Sequence, residues 1–574
     1  MEKHAKQAVI GTVLVIILIL VIGGIALVRY LSPGKETMSL ADYYKVPAGE
    51  VLVILDDKIY ERNALLSDGQ IYVDFDTVVN RFNKRFYWDS GEQVLIYTTP
   101  TQVIKAWVGD ASLEINGEKQ VTSYPVVLEQ ADGIFLLLDF VDQYSDIRYQ
   151  AYRADAASGE VQRVMITSVY GDYLFADVKK KTQLRTDANR KSPILREVAE
   201  GEKLMLLDGG GSQKNGYLTV MTQDGVRGYV LNKCVSEGYY EKVESDFDAP
   251  VYTSAADGKE VLLTWHVVTN LTANGNLAGL LAKTKGITVV SPTWFSIASN
   301  EGAISSLADS GYVNTAHDLG VQVWGLVDNF GENIDSFQVL SSTTSRERLE
   351  KELVSVALSC GLDGINIDFE SLPVEAGPHF IQFLRELSVC CRRNNLVLSV
   401  DNYVPAGYNR YYDYAEQGVL ADYVIIMAYD EHYAGSAEAG SVSSISYVEN
   451  AIKDTKEMVP AEKIVVALPF YTRLWKETTV DGVTILGLER TPGMKDAAAI
   501  LEENDAAAEW DEETCQYYAE YDKDGAHYRI WLEESRSLSE KARRVWQAEL
   551  AGIATWRLGL ETEDVWDVFV GGGE

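Results

Sequence analysis

The sequence predicts an α/β protein built on a (β/α)8 TIM barrel with a small α+β insertion. Two small β-rich domains and one N-terminal transmembrane helix are predicted to precede the barrel. Three observations support this organisation: strand-like and helix-like segments alternate after residue 250, short strands and Asp-Gly turns fill residues 46–242, and residues 8–28 carry no charge. Alternating strands and helices are typical of parallel βα units, and 574 residues leave room for several domains.

Composition excludes some classes of function. The formal net charge is −34 at pH 7. Because nucleic-acid binding requires clustered Lys and Arg, we expect no nucleic-acid partner. The five cysteines are scattered, with no CxxC pair and no accompanying His cluster. We therefore expect no structural zinc site, no disulfide framework, no other metal and no cofactor.

The N-terminal segment is predicted to be a membrane anchor. Residues 8–28 would form a helix about 30 Å long, enough to cross a bilayer and longer than the apolar part of a signal peptide. Lys3 and Lys6 precede it and favour a cytoplasmic amino terminus. Residues 1–30 are thus predicted to be a cytoplasmic stub and single-pass anchor, followed by a polar stalk at 33–45. A cleaved signal peptide is the alternative, and it also places the remaining chain outside the cytoplasm.

Residues 46–175 are predicted to form a β-rich domain with a weak internal duplication. In both halves an Asp-Gly turn and a strand precede an aromatic residue and a closing strand. The turns are Asp68-Gly69 and Asp132-Gly133, and the closing segments are Ser90-Gly91-Glu92-Gln93-Val94 and Ser158-Gly159-Glu160-Val161-Gln162. This order resembles the copper amine oxidase N-terminal-like domain of bacterial envelope proteins. The resemblance implies no copper, and it leaves a spacer and a wall-binding role open.

Residues 178–242 are predicted to form a small barrel of about five short strands. The markers are Gly201, the Gly209-Gly210-Gly211 loop, Tyr217–Val220, Asp224-Gly225 and Gly228-Tyr229-Val230. Their order resembles a bacterial Src-homology-3-like domain, and domains of this kind often contact peptidoglycan. The resemblance implies the cell wall as a partner of the N-terminal modules. The Gly-rich loop lacks the Lys-Ser/Thr of a phosphate loop, so we interpret it as a turn.

Residues 250–574 are predicted to form the barrel. Eight apolar strand candidates are Val261–Val268, Ile287–Phe295, Val321–Val327, Gly364–Glu370, Leu396–Tyr403, Tyr423–Asp430, Ile464–Tyr471 and Ile553–Leu558. The long gap at 472–551 has room for an inserted α+β piece around Thr478–Leu532 before a final helix, Ser539–Leu550. In such barrels the active site lies at the carboxyl ends of the strands.

The fourth strand candidate carries the strongest chemical signal. In Asp363–Glu370, the polar residues Asn366, Asp368 and Glu370 alternate with apolar ones, so they share one face of a strand. Burying an unpaired carboxylate costs several kcal/mol, so these side chains are expected to line a cavity. Paired acids in a cavity are typical of enzymes that cleave glycosidic bonds.

Other strand ends add residues that suit a sugar site. They are Tyr403, Tyr429, Asp430, Tyr471 and Trp556. Taken alone, Tyr403 and Tyr471 also have a simple packing interpretation, and Trp294 and Trp324 are expected in the core. We expect Asp401 to cap the next helix and Asp363 to make structural hydrogen bonds at the start of its strand.

Together these residues resemble glycoside hydrolase family 18, the chitinases and their relatives. The family pattern D-G-x-D-x-D-x-E is matched by Asp363, Gly364, Asp368 and Glu370, M-x-Y-D by Met427, Tyr429 and Asp430, and the tryptophan ending the eighth strand by Trp556. The segments Met427–Tyr433 and Trp531–Ser537 look closest to the bacterial spore-cortex and cell-wall N-acetylglucosaminidase branch. The resemblance covers the last 320 residues or so.

The resemblance implies substrate-assisted retaining catalysis. Glu370 would be the general acid and then the base, and the sugar's 2-acetamido oxygen would be the nucleophile. Asp368 would hold the acetamido N–H, and Tyr429 would position its oxygen. The substrate-binding set is completed by Asn366, Met427, Asp430, Tyr403, Tyr471 and Trp556, while Asp363 and Gly364 form the structural part of the motif.

One position departs from the family pattern, because Asn366 stands where an aspartate is usual. Its amide is expected to donate a hydrogen bond to Asp368, with activity retained at a shifted pH profile. The favoured function is a membrane-anchored, extracytoplasmic bacterial glycosidase that cleaves β-1,4 bonds in peptidoglycan. Three alternatives remain: a chitinase or chito-oligosaccharide hydrolase, a catalytically silent carbohydrate-binding barrel, and a structural envelope scaffold that uses its two N-terminal modules for attachment.

Overall fold

The computed structural model describes residues 2–153, 160–210, 215–256, 258–481 and 483–570. The chain divides into two compact units, which are described separately. The first comprises Met1–Phe86, Ala106–Ser112 and Val121–Ala249. The second comprises Tyr87–Lys105, Leu113–Gln120 and Pro250–Glu574.

The first unit begins with a long apolar helix, Glu2–Leu31. Within the described residues it is the one helix whose length and composition would allow it to cross a membrane, and the same test is passed by signal sequences. Charged residues lie near both ends of the helix, at Lys3, Lys6 and Arg29. The observation fits both the predicted anchor and its alternative.

The segment after this helix is packed, so the prediction of a polar stalk at 33–45 is wrong. Gly34 N–H donates to the carbonyl of Arg190, and Met38 N–H donates to that of Ile194. A side chain at position 34 would come within 2.6 Å of the Lys191 carbonyl oxygen. The helix Leu40–Tyr44 follows, with Leu40 buried. A short polar sequence does not indicate that its backbone will hydrogen-bond to the edge of a sheet.

Two β-rich modules complete this unit. An eight-stranded sheet contains Glu50–Leu55, Lys58–Ile59, Ala64–Ser67, Gln70–Asp74, Val127–Gln130, Gly133–Leu137, Arg148–Tyr152 and Arg163–Thr167. A seven-stranded antiparallel sheet, here the second β-rich module, contains Gly171–Asp177, Thr182–Arg185, Ile194–Val198, Lys203–Leu206, Tyr217–Thr222, Arg227–Leu231 and Tyr239–Val243. The β-rich character is confirmed, while Ser158, Gly159 and Gly211 of the sequence motifs lie outside the described residues.

The second unit contains a closed barrel of eight parallel strands, as predicted. They are β1 Val261–His266, β2 Val289–Ile297, β3 Gln322–Asp328, β4 Gly364–Asp368, β5 Val397–Tyr403, β6 Tyr423–Met427, β7 Ile464–Pro469 and β8 Gly552–Trp556. The sheet closes because β1 pairs with both β2 and β8. The close approach of β4 to β5 requires Gly364, since a Cβ there would lie 2.8 Å from the Val397 carbonyl oxygen.

Helices cover the outside of the barrel. Those described are Leu277–Leu281, Ser310–Asp318, Ser336–Ser341, Thr343–Cys360, Gly377–Asn394, Tyr414–Leu420, Ile445–Lys456, Ser535–Gln547 and Val565–Val570. The final long helix begins at Ser535, earlier than the predicted Ser539, because the Glu534 carboxylate caps it by accepting from the N–H groups of Arg536 and Ser537.

The predicted α+β insertion is confirmed between β7 and β8. Its five-stranded antiparallel sheet packs with one helix, Met494–Glu503. The strands are Leu474–Val480, Val483–Arg490, Glu509–Asp511, Gln516–Lys523 and Ala526–Leu532.

A further five-stranded sheet lies mostly in the second unit and caps a barrel helix. Its strands are Tyr87–Asp89, Val94–Thr98, Val103–Trp107, Ser112–Ile115 and Glu118–Val121. The Asp89 carboxylate accepts hydrogen bonds from Thr343 N–H at 2.9 Å and from the Thr343 hydroxyl. Glu92 accepts from the N–H of Thr344. Two carboxylates thus bind the N–H groups that helix Thr343–Cys360 leaves unpaired at its amino end, where negative charge is also favoured by the helix dipole.

We predict that Asp89→Ala will loosen the first turn of helix Thr343–Cys360. Loss of a capping carboxylate costs about 1–2 kcal/mol, so backbone amide exchange in that turn should accelerate by roughly 5–30-fold. Hydrogen–deuterium exchange of the full-length protein measures this. The matched control is Glu118→Ala on an exposed strand of the same sheet. Equal exchange in the Asp89→Ala and parent proteins would contradict the prediction.

Candidate active site

A cavity of about 210 Å³ opens at the carboxyl ends of the barrel strands. Its lining brings together eight of the predicted site residues: Asp368, Glu370, Tyr403, Met427, Tyr429, Asp430, Tyr471 and Trp556. Trp265, Phe330 and Asp401 complete the wall. Of the remaining predicted residues, Asn366 is buried beneath this cavity, while Asp363 and Gly364 lie at the other end of β4.

Glu370 is held by hydrogen bonds on both its backbone and its side chain. Its N–H donates to Asn329 Oδ1 at 2.9 Å, and its carbonyl accepts from Asn329 Nδ2 at 2.8 Å. The Tyr403 hydroxyl donates to its Oε2 at 2.6 Å. Burial raises the pKa of Glu370, an effect that the hydrogen bond from Tyr403 opposes and the nearby charges of Asp430 and Asp328 reinforce.

Asn329 was not singled out from the sequence. The sequence feature that could have identified it is the polar pair Asp328-Asn329. This pair lies at the carboxyl end of a buried strand, at the rim where barrel active sites lie. Asp328 is the Cα register partner of Asp368 on the adjacent strand. Its Oδ2 accepts from the Ser296 hydroxyl at 3.0 Å, and burial raises its pKa.

Asp368 is buried, with only 6% of its surface exposed. Its Oδ1 atom has no hydrogen-bond partner among the described residues. Burial raises the pKa of Asp368 well above its usual range, and the charges of Asp401, Glu370 and Asp328 act in the same direction. The side chain therefore offers an unoccupied oxygen at the cavity wall.

Asn366 does not donate to Asp368, so that expectation is corrected. Its Oδ1 accepts from the Trp265 indole N–H at 2.9 Å and from the Ser291 hydroxyl at 3.0 Å. Because an indole N–H is a donor only, the amide orientation is fixed and Nδ2 points at Asp401. The Nδ2–Oδ1 distance to Asp401 is 2.8 Å.

Asp401 is a buried strand residue, and its expected role as a helix cap is wrong. It lies inside β5 and is 3% exposed. The following helix, Tyr414–Leu420, is capped by Asp413, whose carboxylate accepts from Glu416 N–H. Burial raises the pKa of Asp401 well above its usual range, the nearby Glu370 charge adds to that shift, and the hydrogen bond from Asn366 opposes it.

The end of β6 supplies a tyrosine and an anchored carboxylate. Tyr429 is half-buried, and burial raises its pKa well above the usual value, so its hydroxyl remains a neutral donor. Asp430 adopts a left-handed backbone with φ of 59°. Its Oδ1 accepts from the Tyr471 hydroxyl and forms an ion pair with Arg473. Arg473 was not singled out from the sequence, because it follows the predicted end of β7.

Aromatic rings form much of the remaining wall. Trp556, at the end of β8, lies 5.6 Å from Trp265 between ring centroids. Phe330 presents 60% of its surface to solvent beside the cavity. Trp294 and Trp324 are buried in the core, as expected. Flat apolar faces next to carboxylates suit a sugar ring, whose faces are apolar and whose edges carry hydroxyl groups.

At the other end of β4, Asp363 has a structural place. Its Oδ2 accepts from the N–H of Val323 and from Nε2 of His317, both at 2.8 Å. The first of these bonds ties β4 to the neighbouring strand β3.

Residues 321–561 match the family model described as glycosyl hydrolases family 18. These residues, which include strands β3 to β8 of the barrel, therefore form a family 18 glycosyl hydrolase domain. Residues 54–153, in the N-terminal part of the chain, match the copper amine oxidase N-terminal domain. Two of the three resemblances inferred from motifs are thereby confirmed, while the Src-homology-3-like resemblance of residues 178–242 stays a prediction. The family 18 match covers the strand ends that carry Glu370, Tyr429 and Trp556.

Similar proteins include two from Bacillus subtilis (strain 168). YdhD of Bacillus subtilis (strain 168), named as a candidate sporulation-specific glycosylase, is 28% identical over 276 residues, which are 46% of this chain and 64% of that protein. The cortical fragment-lytic enzyme of the same organism is 28% identical over 235 residues, or 40% of this chain and 54% of the enzyme. This chain thus spans between half and two thirds of the length of these relatives.

A solved structure also resembles the chain. The spore cortex-lytic enzyme SleL of Bacillus cereus superposes with a TM-score of 0.49 and 19% identity, covering 58% of this chain and 78% of that one.

We predict that Asp401→Asn will stabilise the protein at pH 8 more than at pH 5. A carboxyl whose pKa is raised in the folded state keeps its proton there after the unfolded chain has released it, so the cost to folding grows as pH rises from the unfolded pKa to the folded pKa. The amide removes this cost. Thermal unfolding at both pH values measures the difference, with exposed Asp318→Asn as the matched control. An equal change in Tm at the two pH values would contradict the prediction.

Proposed function

We propose that the barrel hydrolyses β-1,4 bonds next to N-acetylglucosamine residues by substrate-assisted retaining catalysis, with peptidoglycan as the preferred substrate. The observation that carries the proposal is the convergence of four groups on one cavity: Glu370, Asp368, Tyr429 and Trp556. They come from the ends of three different strands, so their meeting depends on the closed barrel. The family 18 match supports the same chemistry.

Glu370 is the proposed general acid. Burial keeps its carboxyl protonated to a higher pH than in water, which suits proton donation to a leaving glycosidic oxygen. The clamp from Asn329 and the bond from Tyr403 fix the direction of the side chain. After the leaving group departs, the ionised carboxylate takes a proton from the water that completes hydrolysis.

The nucleophile is the carbonyl oxygen of the substrate's own 2-acetamido group. Asp368 lies two residues before the acid and offers the unpartnered Oδ1 to the acetamido N–H. A carboxylate there stabilises the positive charge of the oxazolinium ring as it forms. The Tyr429 hydroxyl, kept neutral by burial, donates to the acetamido oxygen and directs it at the anomeric carbon.

Substrate binding falls to the aromatic and anchored groups of the wall. Trp556 forms the floor beneath the sugar at the cleavage point, and Met427 adds apolar contact. Asp430, already oriented by Tyr471 and Arg473, accepts hydrogen bonds from sugar hydroxyls. Holding these groups in place before substrate arrives lowers the entropy cost of binding.

We further propose that residues 8–28 anchor the enzyme in a bacterial cell membrane with the barrel outside the cytoplasm. The apolar helix supports this location, and a tethered enzyme reaches the glycan of its own envelope. Relatives named for sporulation and for cortical fragments favour peptidoglycan over chitin. The N-terminal modules are proposed to contact the wall.

We predict that Glu370→Gln will reduce kcat by about 100-fold or more, the usual contribution of general acid catalysis. Mass spectrometry of products from purified muropeptide glycan and from chitin oligomers measures the loss and identifies the preferred substrate. Exposed Glu375→Gln, five residues away, is the control and should retain activity. Preferential cleavage of chitin would reverse the substrate assignment, and parent-level activity of Glu370→Gln would refute the acid role.

We predict that Tyr403→Phe will move the alkaline limb of the kcat profile to higher pH. The Tyr403 hydroxyl stabilises the ionised form of Glu370, so its removal raises the pKa of the acid and preserves the protonated form longer. Rates measured across pH test this, with exposed Tyr408→Phe as the control. Movement of the limb to lower pH would contradict the proposed role of Tyr403.

A further inference from the structure

A second cavity, of about 860 Å³, lies in the first unit on the second β-rich module. We call it the basic cleft, defined by Arg185, Arg190, Lys191 and Lys233 in its wall. No Asp or Glu is among its described lining residues. In a chain with a formal net charge of −34, four cations without a carboxylate in one wall reverse the prevailing sign of charge.

The basic cleft lies directly beside the carboxyl end of the apolar helix. Tyr30 and Pro33 form part of its wall. The Lys191 ammonium donates to the carbonyl oxygens of Arg29 at 2.7 Å and of Ser32. These bonds satisfy carbonyls that the last helical turn leaves unpaired, at the end where positive charge is favoured.

Backbone contacts fix this position. Gly34 N–H donates to the Arg190 carbonyl at 2.7 Å, and the Arg185 guanidinium donates to the Gly34 carbonyl at 3.1 Å. Only a few residues therefore separate the apolar segment 8–28 from the module. With that segment in the hydrocarbon core, the basic cleft lies at the level of the lipid headgroups, and Tyr30 occupies the interface that tyrosine prefers.

Two of the four cations act on one tyrosine hydroxyl in the cleft wall. Arg185 is 3% exposed and is oriented by a 2.6 Å bond from its guanidinium to the Ser192 carbonyl. Burial raises the pKa of the Tyr217 hydroxyl, and the charges of both Arg185 and Arg190 oppose that shift, so both guanidinium groups act on the same hydroxyl. Lys233 is exposed and has no carboxylate partner within the described part of the chain. Arginine and lysine around a neutral hydroxyl are suited to a phosphate group.

We propose that the basic cleft binds the phosphate of an anionic phospholipid headgroup in the leaflet next to the carboxyl end of the apolar helix. The proposal depends on residues 8–28 lying in a membrane and is independent of catalysis in the barrel. Binding there would fix the second β-rich module against the bilayer surface. The negative potential of anionic lipid acts within about 10 Å of the surface at physiological salt, so only a cleft this close to the helix end would feel it.

The test uses the full-length protein in nanodiscs of phosphatidylcholine with increasing fractions of phosphatidylglycerol. Hydrogen–deuterium exchange at residues 182–192 and 231–234 reports occupancy of the cleft. We expect protection to grow with phosphatidylglycerol. In Arg190→Gln/Lys233→Gln, the fraction needed for half-maximal protection should rise at least about tenfold, as expected for two cations removed at an anionic surface. Lys233→Gln alone should give part of this shift.

Lys179→Gln/Lys180→Gln is the matched control, because these exposed lysines belong to the same module but not to the cleft wall. It should behave as the parent protein. Equal protection in the two lipids, or an equal shift in the control, would overturn the proposal. Glycerol phosphate in solution is tested as the alternative ligand. If it protects the cleft in pure phosphatidylcholine as strongly as phosphatidylglycerol does, the ligand is a soluble phosphate and the lipid assignment is overturned. Glycosidase activity in detergent should be unchanged in all variants, so failure here leaves the proposed catalysis untouched.

Discussion

The barrel mouth depends on one electrostatic constraint: several carboxyl groups share a small, partly closed space and cannot all be ionised. Asp368, Glu370 and Asp401 line one cavity, and Asp328 is the register partner of Asp368 on the next strand. Burial raises the pKa of all four groups, and the charge of neighbouring carboxylates adds to the shift for Asp368, Glu370 and Asp401. Protons therefore remain at this site at a pH where isolated carboxyls have lost them. A proton donor is thus present before substrate arrives.

The surrounding hydrogen bonds distinguish the carboxyl group of Glu370 from that of Asp368. Glu370 is held on both sides of its peptide by Asn329 and at its carboxylate by Tyr403. Asp368 keeps an oxygen without a partner among the described residues. One acid is therefore oriented and tuned, while the other retains capacity to bind a ligand. Unsatisfied buried polar atoms are uncommon in folded proteins, and they are frequent where a ligand supplies the missing partner.

The sequence was sufficient for the strands and for most of the cavity wall, because both follow from local pattern. Alternation of polar and apolar residues predicts that Asp368 and Glu370 lie on one face of β4. Closure of the barrel then brings the carboxyl ends of the strands close together. Asn329, Arg473 and the partner of Asn366 were missed, since each depends on contacts between segments distant in the chain. The packed segment after the apolar helix was missed for the same reason. A polar stretch predicts no partner until the sheet edge beside it is known.

With asparagine at position 366, β4 lacks the acid that the family pattern has there, and a buried acid on β5 lies nearby instead. The Asn366 side-chain carbonyl is fixed by Trp265 and Ser291, so its amide must face Asp401 on β5. On β4 itself, this chain has an asparagine at the position near Asp368 where the family pattern has an aspartate. The structure has a buried acid one strand away, close enough to raise the pKa of Asp368 by its charge. Because electrostatic repulsion depends on distance and burial rather than on which strand carries the group, an acid on β5 can take over the part that a β4 aspartate would have in controlling the proton on Asp368.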